Sequence, residues 1–480
     1  MINAKEFDLN RLSADDFQKR FENYNPKNIK NVLIIGNGFD IATGLCTKYS
    51  DFVKFIVYCL LLRKSSVKDI DTLLEEIKKR EKEKESDYDV MSIVKLAEVK
   101  LAEESEEGKL LEKICDFTSS SFFKKFLCKI IDVEDVDFLD GDFSYQYIEE
   151  HKTSSQQDSL ENLVYKFFNN KQQDKYVELF FNIFERVNLL INKAVYKGWT
   201  DVESFIAATL VDDKKLEQKF DINQEDKIPF SEIEDYFDGL DKFGEMFSNY
   251  LHLMNDYFSQ KPLSGQNISL FWKSINSFCL ASLRSKYGDD LFTNINIEQE
   301  DLILNYNYTE MCQKIVSCLK KYNKQPVVIH VKGELKQQKS NVVFGYSFAP
   351  TVDINGYLYN FEKTAQRDYK FIHSEKFDLR DELNDYFNLF IYGFACSESD
   401  RDTVRRIFLT PDGQLNPKML RTIIVCYDSK EFLSIRARLV NILGNDNFGK
   451  LIENANANLP QSIFFSVLDT KKNPIERVYR

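Results

Sequence analysis

Glycine, proline, histidine and tryptophan are scarce in this chain, at 17, 9, 4 and 2 of 480 residues. So little glycine and proline excludes a collagen-like or low-complexity polymer. Cysteine is present nine times, an odd number with no CxxC pair, which matches neither a disulfide framework nor a zinc-ribbon spacing. Reduced thiols in a cytosolic protein are expected. Basic charge is also short: 64 Lys and Arg against 76 Asp and Glu leave a net charge of -12, which argues against nucleic acid as a partner. The longest apolar run, Phe55 to Leu62, is too short to span a bilayer. The segment MINAKEFDLNRLSADDF lacks the apolar stretch behind a basic start that marks a secretory signal. A cytoplasmic location without a membrane partner is the expectation.

What is abundant is apolar area: 43% hydrophobic residues, with 40 Phe and 24 Tyr, enough to offset the entropy of ordering a long chain. Short β-branched runs at 31–35, 301–304, 327–331, 342–344, 389–392, 422–427 and 462–467 read as buried strands. Their unalternating character suits a sheet covered on both faces. The predicted fold class is α/β, a Rossmann-like, mostly parallel sheet flanked by helices, with a large α-helical insertion. Its predicted boundaries are an N-terminal extension at 1–29, a core at 30–55 and 296–480, and a mostly helical insertion at 56–295.

Phe52, Phe55, Ile56, Cys59 and Leu60 recur at the spacing of a helix that buries one face. The Lys/Glu-rich stretch 64–114 reads as an exposed helical hairpin. Helices are also predicted over 176–197, 201–211, after Ser231, and over 429–443 with Ser429 as the N-cap.

The scarce glycines are concentrated: NVLIIGNGFDIATGLCTKYSDF places Gly36, Gly38 and Gly44 just past the first apolar run. Two readings are open. Gly36, Asn37, Gly38 and Phe39 could form a tight strand-to-helix turn, or a loop whose backbone approaches a phosphate at a helix N-terminus. Asp40 is then either an N-cap carboxylate or a contact to a sugar or base, since a carboxylate beside a pyrophosphate would repel it.

Later strands end in similar clusters. LILNYNYTE brings Asn305, Asn307, Tyr308 and Thr309 to a strand end, and VVIHVKGEL brings His330, Lys332 and Gly333. VVFGYSF contributes Gly345, and LFIYGFACSESD contributes Gly393, Ser397 and Asp400. Ligands in open α/β sheets bind at such strand ends. No HExxH, P-loop or Ser-His-Asp order is present, so no metal is implied. Cys46 reads as a packing residue.

Taken in order, GNGFDIATGLCTKY, LNYNYTE, HVKGEL, VVFGYSF and IYGFACSESD resemble the bacteriophage abortive-infection AbiH family. The resemblance implies antiphage defence, with a phage or host protein as trigger and a homo-oligomer allowed. The same motifs resemble a sirtuin-like NAD-binding core, in which Gly36, Gly38 and Gly44 keep the glycine spacing. That likeness implies NAD or a related nucleotide as ligand, held by the glycine loop and by Gly393 with Ser397; the strand-end residues Tyr308, Lys332, Gly333, Gly345 and Asp400 are the further candidates for holding it. It also implies NAD+ glycohydrolase chemistry, with Asn307 positioning water or ribose and His330 as base. The His that sirtuins carry directly before a glycine is Lys332 here. The alternative is a non-catalytic nucleotide sensor that recognises a phage or host protein through its helical insertion.

Overall fold

The computed structural model describes residues 29–64, 71, 74–75, 89–96, 230–261, 283, 302–318, 326–332, 335–336, 339–340, 383–397, 400–457 and 459–468. The expected strand at 342–344, the helices at 176–197 and 201–211, and the extension before residue 29 lie outside them.

The first apolar run forms β1 (Lys30–Ile35), followed at once by α1 (Asn37–Thr43) and α2 (Tyr49–Lys64). The long helix α3 (Phe230–Ser259) precedes β2 (Leu302–Asn305), α4 (Met311–Cys318) and β3 (Val327–His330). A small hairpin, β4 (Leu335–Lys336) and β5 (Lys339–Ser340), is followed by β6 (Phe387–Tyr392) and α5 (Arg401–Phe408). Then come β7 (Met419–Cys426), α6 (Ser429–Leu443), α7 (Asn445–Asn456) and β8 (Ser462–Val467).

Among the described residues the main sheet has six strands, ordered β3-β2-β1-β6-β7-β8, and every pairing is parallel. This is the α/β, Rossmann-like architecture expected from the unalternating apolar runs. With the hairpin set aside, the order is that of a dinucleotide-type sheet, which reverses direction beside its first strand. β1 lies in the middle, between β2 and β6, so its side chains Val32 and Ile34 join the core with Leu304, Leu389 and Ile391. Burying these side chains on one face of the sheet, and Leu33, Ile35, Ile303 and Phe390 on the other, supplies the main stabilisation.

Three local readings change. Residues 51–59 of α2 are buried all round instead of along one stripe, because a second layer covers the outer face. α3 supplies part of that layer: Phe52 meets Phe243, Phe247 and Tyr250 at centroid distances of 5.4, 5.2 and 5.6 Å. Within the stretch taken for an exposed hairpin, residues 89–96 are helical, and Val90, Met91, Ile93 and Val94 are buried. The N-cap of α6 is Asp428, whose carboxylate accepts from the Glu431 amide at 2.7 Å, one residue before the predicted serine. The Asp428 carboxylate takes the Glu431 amide in place of the Ser429 hydroxyl, while the Glu431 carboxylate reaches back to the Tyr427 N–H. Among the described residues no helix is long and apolar enough to cross a membrane.

Candidate functional site

Register decides which loops meet. Ile35 stands opposite both Asn305 and Tyr392, and Asn305 stands opposite His330. The C-terminal ends of β1, β2, β3 and β6 therefore form one row. Pairing continues one residue further: Gly36 N–H donates to Tyr392 O, Tyr306 N–H to Ile35 O and Val331 N–H to Asn305 O, at 3.1, 2.9 and 2.8 Å.

At that edge the β1–α1 loop crosses the loop after β6 backbone to backbone. Gly36 is extended, with φ -126°, a conformation open to any residue, so its need for glycine is one of space. A Cβ there would stand 2.6 Å from Gly393 O and 2.7 Å from Phe394 Cα. A Cβ on Gly38 would stand 2.6 Å from Gly393 Cα, and one on Gly393 only 2.3 Å from the Phe39 nitrogen. Gly393 also has φ +64°, the left-handed region that favours glycine. The amides of Gly38 and Phe39 are used inside the crossing, donating to Gly393 O and Gly36 O at 2.9 and 2.8 Å. Gly44 ends α1 as its left-handed C-cap, φ 104°.

Beside the crossing lies a cavity of 340 Å³, which takes walls from Gly36, Asn37, Asp40, Asn307, Tyr308, Lys332, Gly393, Ser397 and Asp400. With Thr309, which also lines it, ten of the residues singled out in the sequence are thus brought to one place. Asn305, completely buried, turns the chain after β2: its Oδ1 accepts from Asn307 N–H at 2.9 Å. That turn aims Asn307, whose Nδ2 donates to Gly36 O at 3.0 Å. A buried bond of this kind adds about 1 kcal/mol and costs more if one partner is removed.

Asp40 lies within the first turn of α1 and is not its N-cap. It is 1% exposed, and its Oδ2 accepts from the Thr309 hydroxyl at 2.7 Å, while Oδ1 is buried without a hydrogen-bond partner. Burial pushes the carboxyl from 3.8 up to about 7, and the Thr309 hydroxyl and the nearby Asn307 side chain hold it from rising further. Asp40 therefore carries a proton part of the time at neutral pH. On the far wall, the Lys332 ammonium is 3.9 Å from Asp400 Oδ1, and Ser397 Oγ donates to Asp400 Oδ2 at 2.9 Å. Asp400 stands at the N-cap position of α5, where its side chain makes no capping hydrogen bond.

Not every expected residue arrives. His330 is buried at the end of β3 but is not among the residues lining this cavity. Its Nδ1 lies 3.4 Å from both Asn305 Nδ2 and Asn307 O, and its Nε2 contacts Gln313. Phe39 is fully buried and packs edge-on against Tyr392 at 6.0 Å, so it serves the core. Gly333 and Gly345 lie outside the described residues. Cys46 is buried, and its carbonyl accepts from Tyr250 Oη at 2.8 Å.

Other residues of this edge were not singled out from the sequence. Phe247 and Leu251 of α3 wall the small cavity, and Phe247 meets the Tyr308 ring at 6.0 Å. A larger cavity of 670 Å³ lies over the ends of β6, β7 and β8, lined by Gly38, Tyr392, Val425, Tyr427 and Leu468 among others. Lys48, Gly393 and Arg438 line both cavities and so mark their border. Lys48 lies between α1 and α2, within the first motif; Arg438 sits mid-helix in α6, where nothing but the fold brings it to the site.

A family model described as bacteriophage abortive infection AbiH matches residues 32–414. No curated protein and no solved structure matches the chain significantly.

Proposed function

This chain belongs to the AbiH family of bacteriophage abortive-infection proteins, and from that premise we propose that it serves phage defence through a nucleotide bound at its sheet edge, NAD or a relative. One observation carries the reading: in a sheet of dinucleotide-type order, the polar ends of β1, β2, β3 and β6 converge on a single cavity at the point where strand order reverses. Both cavities, 340 and 670 Å³, fall in the range of small-molecule sites. The residues present fit such a ligand. Asp40 Oδ1 is a buried acceptor in want of a donor, and Lys48 and Arg438 supply cations at the border. Lys332, Ser397, Asp400 and Gly393 would complete the holding set.

NAD, when bound, supplies a nicotinamide–ribose bond that can be cleaved. In that version Asn307 would orient the ribose or the attacking water. The sensor version, in which the nucleotide is bound without turnover, is favoured by the placement of His330, which stands outside the cavity with its ring nitrogens against Asn305, Asn307 and Gln313. A protein of the phage or host would then act as trigger.

Calorimetric titration of the purified protein with NAD, ADP-ribose and ATP tests the binding reading, and measured nicotinamide release separates the two versions. Binding of NAD or ADP-ribose is expected. Absence of heat with all three ligands, at several temperatures, sinks the nucleotide reading.

A further inference from the structure

We propose that Asp40 is the sugar-recognition group of this edge: it accepts a ribose hydroxyl of a nucleotide whose phosphates lie at the border of the two cavities, and so restricts the ligand to one with an unphosphorylated ribose diol. The inference rests on the nucleotide reading above and specifies its ligand class.

The first support is an unmatched acceptor. Asp40 Oδ1 is buried and makes no hydrogen bond, while Oδ2 is already taken by Thr309. A sugar hydroxyl can donate to it; a phosphate dianion has no proton to offer. The second support is the division of polarity along the edge. Asp40, Asn307 and Thr309 line the small cavity alone, and so does Lys332, whose ammonium is 3.9 Å from the Asp400 carboxylate; the cations Lys48 and Arg438 line both cavities. Phosphates are drawn to that border, and the sugar is left to the neutral and acidic end.

The third support concerns discrimination. The groups that favour Asp40's charged form are both neutral, the Thr309 hydroxyl and the Asn307 side chain, and the Lys332 ammonium lies against Asp400. A 2′-phosphate brought to Asp40 would meet a carboxyl that no cation offsets and would lose the hydroxyl donor as well. Specificity of this kind, from an acceptor combined with a repulsive element, is a difference of affinities.

The test titrates wild type and Asp40→Asn with ADP-ribose and with ADP-ribose 2′-phosphate in a calorimeter at pH 8, where Asp40 is mostly charged. Wild type should prefer the unphosphorylated ligand by at least about tenfold. Asp40→Asn keeps an acceptor oxygen but no charge, and should bring the two affinities to within about threefold. Equal wild-type affinities, or a preference for the 2′-phosphate, overturn the role of Asp40 while leaving nucleotide binding in place. Should neither ligand bind wild type, both the inference and the reading beneath it fall. A thermal scan of the ligand-free variant establishes that it folds; if it does not, the wild-type preference decides alone.

Discussion

The crossing of the β1–α1 loop over the loop after β6 separates two reasons for glycine, and a set of three alanine substitutions measures each. Gly413 has φ +81° and nothing within 4 Å of an added Cβ, so Gly413→Ala carries only left-handed strain, about 1–2 kcal/mol. Gly36 is extended, so Gly36→Ala carries only the clash with backbone atoms of Gly393 and Phe394 at 2.6 and 2.7 Å. Overpacking of that sort costs about 1–3 kcal/mol, since backbone held in two paired strands cannot swing aside like a side chain. Gly393 combines φ +64° with a 2.3 Å approach to the Phe39 nitrogen, and Gly393→Ala should cost the sum, about 2–5 kcal/mol. Urea unfolding followed by tyrosine and tryptophan fluorescence reads the difference. With a slope of about 3 kcal/mol per molar urea, a 3 kcal/mol loss lowers the midpoint by about 1 M. If Gly393→Ala and Gly413→Ala lower the midpoint equally, the crossing gives way at no cost, and the close approach does not constrain the site.

Two further outcomes follow from the site. Asp40's carboxyl rises from 3.8 in the free residue to about 7 in the fold, so the folded chain holds this proton more tightly than the unfolded one. The stability it contributes is complete below about pH 4 and is lost as pH rises through about 7, a swing of roughly 4 kcal/mol. Melting temperatures of wild type and Asp40→Asn should therefore diverge from pH 4.5 to pH 8, with the variant the steadier of the two; parallel curves would show that Asp40 is solvated. His330→Ala should lower stability by about 1–3 kcal/mol, by leaving Asn305 and Gln313 without their contact, yet preserve the thermal shift produced by NAD. Loss of that shift with the fold intact would place the imidazole at the ligand after all.

Much of the sheet was legible because buried parallel strands announce themselves as short β-branched runs, and six of those runs, near residues 31, 302, 327, 389, 422 and 462, are strands of the sheet. Their convergence was also legible, since glycine and asparagine cluster where strands end. The reason for Gly36 and Gly38 was not. Their partner, Gly393, lies far away in sequence, and a contact between two backbones leaves no trace in local composition. The full burial of α2 depends on α3, which arrives some 180 residues later, so its periodicity could show one covered face but not the second. Asp428 displaces Ser429 as cap because a charged acceptor binds an amide of the first turn more strongly than a hydroxyl does. Arg438 belongs to an ordinary amphipathic helix, and only the sheet order brings it to the cavity border.

The central place of β1 sets the timetable of assembly. It leaves the ribosome early, but residues 36–301 must be made before β2 can pair with it, and its other neighbour, β6, begins only at Phe387. At roughly 5–20 residues per second, the first of those waits lasts about 13–50 s. A growing chain thus carries an apolar, two-edged strand with no sheet to enter, a natural client for chaperones. The cavity walls supplied by Gly393, Ser397 and Asp400 come later still. An interrupted translation product would hold the glycine loop yet lack these walls of the cavity.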